Sequence, residues 1–80
     1  MADRKRNVGI VVFDGVEVLD FAGPYEVFSV AGEVIDPGAF NVYLIAESAN
    51  TIAGRNDFRV EPHHTFADCP EPHIFLVPGG

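Results

Sequence analysis

The sequence predicts an α/β protein built on a flavodoxin-like parallel sheet with helices on both faces. Three observations predict it. Val8-Gly9-Ile10-Val11-Val12-Phe13 is an unbroken, largely β-branched apolar run, the mark of a strand buried on both faces. A stretch with helical apolar spacing follows it. Phe40-Asn41-Val42-Tyr43-Leu44-Ile45-Ala46 then supplies a second strand, and strand, helix and strand at this spacing form a βαβ unit.

Each element has its own signal. The first strand is closed by the turn pair Asp14-Gly15. The helix is expected over residues 23–32, with Pro24 at the first helical position, Gly32 as the stop, and Val27, Val30 and Ala31 recurring on one side. Asp36-Pro37-Gly38 makes the turn into the second strand. Residues 51–65 read as a short hairpin, Ile52-Ala53-Gly54 and Phe58-Arg59-Val60-Glu61 flanking the polar turn Arg55-Asn56-Asp57. Residues 66–72, with Pro70 and Pro72, form a loop. His73-Ile74-Phe75-Leu76-Val77 is a third buried strand, and Pro78-Gly79-Gly80 is the turn at its carboxyl end. The organisation is β-α-β-hairpin-β, without repeat or linker.

Composition narrows the function classes. Eighty residues allow one domain at most, and 48% apolar content with seven Phe excludes intrinsic disorder. The single cysteine, Cys69, excludes a disulfide-stapled miniprotein. No apolar run reaches the ~18 residues that a bilayer demands, and no secretory stretch follows the basic opening, so a cytoplasmic protein without membrane contact is expected. Net charge is −7, and residues 7–80 carry two Arg against eleven Asp and Glu, which argues against nucleic acid as a direct partner. Arg4, Lys5 and Arg6 read as part of a flexible, solvated arm over residues 1–6. One helix cannot cover both faces of such a sheet, so residues 1–80 are expected to be the N-terminal part of one larger α/β domain.

Val18-Leu19-Asp20-Phe21-Ala22-Gly23-Pro24-Tyr25-Glu26-Val27-Phe28 resembles the segment after the first strand of the ThiJ/PfpI superfamily, the class I glutamine-amidotransferase-like fold. Thr65-Phe66-Ala67-Asp68-Cys69-Pro70, followed by Ile74-Phe75-Leu76-Val77-Pro78-Gly79-Gly80, is similar to the same group in order and spacing. Within it, the branch of isonitrile hydratases and of the amidase-like sensor domains of AraC-type regulators is the nearest. The resemblance implies cysteine attack on a small electrophile, such as hydration of an isonitrile to an N-substituted formamide, with no metal or organic cofactor and a homodimer as the complete form. It also implies a nucleophile on a strand-to-helix elbow downstream of this segment, so residues 1–80 alone should be inactive. The alternative is a sensor domain that binds a small molecule without turning it over.

Residues and resemblance meet at three positions. Asp20 falls between the first strand and the Pro24 helix, near the carboxyl edge where open α/β sheets place ligands. The resemblance implies a carboxyl group that exchanges a proton with the catalytic cysteine; the plain alternative is a helix cap. Gly79 and Gly80 end a strand, where glycine permits positive φ and close approach. The resemblance implies that the Gly80 N–H, with Gly79, helps form an oxyanion hole, where fixed donors stabilise developing charge. Cys69 lies in a Pro-rich loop with no helix start behind it, and reads as a structural thiol rather than a nucleophile. His63 and His64 point to opposite faces of a strand, and with His73 complete no zinc spacing, so they read as loop or surface histidines. Glu17 and Glu26 read as solvated.

Overall fold

The computed structural model describes residues 5–80. Strand β1 (Arg6–Val11) leads to helix α1 (Val18–Val30), which continues through a wider turn over Ala31–Ile35. Strand β2 (Phe40–Ala46) follows, then an antiparallel pair, β3 (Ile52–Ala53) and β4 (Arg59–Val60), joined by a tight turn at Arg55–Asp57. Two short strands, β5 (His64–Thr65) and β6 (Ile74–Leu76), complete the chain. The main sheet is parallel throughout, in the order β5-β2-β1-β6. This is the α/β, flavodoxin-like arrangement expected from the sequence.

The register explains the apolar run. Val8 stands beside Val42 and Ile74, and Ile10 beside Leu44 and Leu76. These alternate residues share the face that α1 covers, where Val8, Ile10, Val12, Val16, Phe21 and Leu44 form the core. The intervening Gly9 faces the other side. A Cβ there would lie 2.7 Å from Ile45 Cδ1 and 3.3 Å from Pro72 Cβ, so glycine is what lets the 66–73 loop settle against the sheet. The Tyr43 hydroxyl donates to the Pro70 carbonyl at 2.7 Å and fastens the same loop. Among the described residues this second face is therefore covered by a loop, and a helix lies on one face only.

Several expectations need correction. Helix α1 begins five residues before Gly23, and Pro24 lies inside it rather than at its start. Glu17 precedes the helix without any side-chain capping bond, so the usual start signal is missing. Gly32 does not stop the helix. Its missing side chain instead accommodates β2, because a Cβ would come 3.2 Å from the Phe40 nitrogen. The reversal falls later, where the Gly38 N–H donates to the Gly32 carbonyl at 2.8 Å with φ 82° at Gly38. Residues 1–4 of the expected arm lie outside the described residues; Lys5 is exposed and Arg6 already pairs in β1, its N–H donating to the Ala39 carbonyl. Strand β6 is an edge strand rather than a buried one: Phe75 is 51% exposed and Val77 68%. No described helix is long and apolar enough to cross a membrane.

Candidate functional site

The strand order places the site before any side chain is considered. The connection from β1 runs to β2 on one side, while β6 lies on the other side of β1. The order therefore reverses between β1 and β6, and ligands of open α/β sheets bind outside the carboxyl ends of the strands at such a point. A cleft of about 340 Å³ opens there, between the first turn of α1 and the segment that leaves β6. Leu19, Pro24, Leu76 and Val77 give it apolar walls, and Asp20 supplies its carboxylate beside Gly79.

Asp20 and Gly79, 59 residues apart in sequence, are in direct contact. The Gly79 N–H donates to Asp20 Oδ2 at 3.2 Å. The Gly79 carbonyl accepts from the Glu17 N–H at 2.9 Å, so the start of α1 and the end of β6 are clasped at two points. Asp20 is the acidic residue of the first helical turn, where the N-terminal end of the helix dipole favours a negative charge. It caps nothing in its own helix. Gly79 is required for closeness and not for unusual backbone, since a Cβ would meet Asp20 Oδ2 at 3.2 Å and neither Gly79 nor Gly80 has a positive φ. Its N–H is taken by Asp20. The Gly80 N–H donates to no described residue, and Gly80 lies against the Phe13 ring, 3.4 Å from an ideal Cβ position.

The remaining candidates lie elsewhere. Cys69 sits in the loop on the opposite face of the sheet, its Sγ 3.9 Å from the Phe66 carbonyl. Its neighbour Tyr43 is 2% exposed. Burial pushes the Tyr43 hydroxyl above its ordinary pKa of 10.0, and the charge of a Cys69 thiolate adds to the effect. His63 and His64 do face opposite ways: His63 lies parallel to Tyr25 of α1, while His64 meets Tyr43 edge-on. They are not merely surface residues. His64 opens β5, and His63 Nδ1 accepts from the Leu44 N–H at 2.9 Å. His73 Nδ1 likewise accepts from the Asn7 N–H at 2.9 Å. No described cluster of His, Cys, Asp and Glu has the geometry to hold a metal. Glu17 is not simply solvated, because it pairs with Arg55 at 2.9 Å and ties the β3–β4 hairpin to the start of α1. Glu26 is exposed. The left-handed pair Asn56 and Asp57, φ 57° and 64°, gives this hairpin its tight turn.

A parallel α/β sheet with a carboxylate-lined cleft at its switch point defines the broad class, an α/β protein of the flavodoxin-like fold. Within it, the chain resembles the ThiJ/PfpI superfamily, as comparison with known proteins bears out. It is 30% identical over 74 residues to the isonitrile hydratase of Pseudomonas putida, covering 92% of this chain and 30% of the relative. Its fold matches a ThiJ/PfpI family protein from Pseudomonas syringae with a TM-score of 0.81 and 23% identity, over 95% of this chain and 29% of that one. A proposed transcriptional regulator from Vibrio parahaemolyticus shares the fold with a TM-score of 0.74 and 15% identity, over 91% of this chain and 38% of that one. No protein-family model matches the chain. The chain spans about 30% of the length of the curated relative it matches.

Proposed function

We propose that residues 1–80 are the acid-bearing N-terminal part of a ThiJ/PfpI-type domain that adds water to a small electrophile, with an isonitrile as the substrate. The observation that carries the reading is the Asp20 carboxylate held by the Gly79 N–H in a cleft at the switch point. Identity to an isonitrile hydratase supports the choice of substrate. On this reading a cysteine outside residues 1–80 supplies the nucleophile, and its sulfur bonds to the terminal isonitrile carbon. Asp20 carries the proton that passes between the thiol and the substrate. Water then adds to the same carbon, the sulfur leaves, and an N-substituted formamide is released: R–NC and H₂O become R–NH–CHO. The Gly80 N–H faces the developing charge, while Gly79 orients Asp20. The complete protein is a cytoplasmic homodimer, uses no metal or organic cofactor, and contacts neither nucleic acid nor membrane through this segment. The isolated segment is inactive.

Asp20→Asn tests the assignment in the complete protein. The change preserves shape and removes the titratable group, so turnover of an isonitrile should fall by roughly 10²–10⁴, the usual worth of a general acid–base. A folded Asp20→Asn protein that keeps parental turnover would reduce Asp20 to a structural clasp. The second reading, a ligand sensor without chemistry, draws on the fold shared with the proposed regulator. It predicts a raised melting temperature with an isonitrile or formamide and no turnover.

A further inference from the structure

We infer that His73 is a positioning residue for the cleft: it pins the foot of β6 on β1 and so places Gly79 opposite Asp20. The inference rests on the reading of that cleft as the functional site. The carboxyl end of β6 is clasped to α1 and the loop before it is tied by Tyr43, but along β1 itself its amino-terminal end is fixed by few bonds. The strand pairs over three residues, Val8 with Ile74, Gly9 with Phe75 and Ile10 with Leu76, and is bonded on one side only. Pro72 and Pro78 flank it and offer no backbone donor. A parallel strand can slip by two residues without changing which side chains face the core, and that slip moves it about 6.6 Å. Gly79 would then lose Asp20 altogether.

His73 blocks the slip with two opposed bonds to one residue. Its N–H donates to the Asn7 carbonyl at 2.8 Å, and its Nδ1 accepts the Asn7 N–H at 2.9 Å. The Asn7 side-chain amide adds a third tie, donating to the Glu71 carbonyl at 3.0 Å. His73 is exposed, so its place does not follow from burial. The contact requires the tautomer with Nδ1 bare and the proton on Nε2. The same device recurs where β5 begins: the His63 N–H donates to the Leu44 carbonyl and its Nδ1 accepts the Leu44 N–H, both at 2.9 Å. Each histidine directly precedes an outer strand of the sheet. Only the strand after His73 leads to the cleft, which makes His63 an internal control.

The test compares His73→Phe, which keeps a ring without an acceptor, with His73→Asn, whose side-chain oxygen can take the place of Nδ1, and with His63→Phe. In the complete protein, amide hydrogen exchange at Asn7 and Gly79 should quicken by roughly tenfold or more in His73→Phe and return toward parental rates in His73→Asn. His63→Phe should quicken exchange at Leu44 and leave Gly79 unchanged. With an isonitrile as substrate, His73→Phe should lower kcat by roughly 10- to 100-fold in protein that remains folded, with KM nearly unchanged, since misplacement of a catalytic group acts on the chemical step. Parental Gly79 exchange in folded His73→Phe would overturn the inference. So would a parental His73 protonated at Nδ1, seen by nitrogen NMR, which decides the matter even where His73→Phe does not fold. If the parent shows no turnover, the exchange results still decide the role of His73, and it is the catalytic reading that fails.

Discussion

Tyr43 and Cys69 show how a single contact sets the behaviour of a residue. Burial, with a smaller contribution from Cys69, raises the Tyr43 hydroxyl above 10.0. The folded protein therefore holds this proton more firmly than the unfolded chain. Its contribution to stability is complete below pH 10 and is lost as the pH rises through the raised value. Tyr43→Phe should cost about 1 kcal/mol at neutral pH, from the lost bond to the Pro70 carbonyl, and should flatten the loss of stability above pH 10. Denaturant midpoints measured from neutral to alkaline pH check both effects. Cys69 faces away from the cleft, so Cys69→Ser should leave turnover of the complete protein within a few-fold of the parent. A drop approaching the ~10⁴-fold or greater loss that follows removal of a nucleophile would move the chemistry to Cys69.

Among the elements, β1 is the most constrained, because it pairs on both edges and is covered on both faces. Gly9→Ala should destabilise by about 1–3 kcal/mol, the range for overpacking a filled interior, since the new methyl meets Ile45, Tyr43 and Pro72 together. The Ile45 contact can move because it is the end of a flexible side chain; the Tyr43 ring is fixed by its own bond to the Pro70 carbonyl, which also anchors the loop that carries Pro72. Thermal melting of the variant checks this, and an unchanged melting temperature would mean that the 66–73 loop is free to lift. Helix α1 is bound less closely. Phe21 is its one buried residue, while Leu19, Val27 and Val30 face outward.

Across the molecule, apolar surface remains open on two sides. Leu19, Val27, Val34 and Ile35 are exposed along the helix, Phe66 and Phe75 on the far side of the sheet, and Val77 at the cleft. Isolated residues 1–80 should therefore lack a sharp cooperative melting transition as a monomer, either associating or populating a loosely packed state. Calorimetry combined with sedimentation checks this. A two-state transition from a monomer at micromolar concentration would show that one helix and four parallel strands suffice.

What the amino-acid sequence determined by itself was whatever depends on neighbours along the chain. The β2 boundaries, Phe40–Ala46, are visible in an apolar run bounded by turn residues, and the β3–β4 hairpin in alternation around Arg55-Asn56-Asp57. The motif around Asp20 marked the right end of the sheet. The start of α1 was not legible, because Glu17 makes no cap and Pro24 stands where a proline usually opens a helix. Strand β5 was hidden as well: two residues have no periodicity, and His64 and Thr65 become a strand only because β2 offers them an edge. The site itself belongs to the tertiary structure. Asp20 and Gly79 meet because β6 crosses to the far side of β1, and histidines that look like surface residues hold backbone groups of strands 19 and 66 residues away. Local signals record the free energy of adjacent residues; such contacts form only once the sheet has brought distant backbone into register.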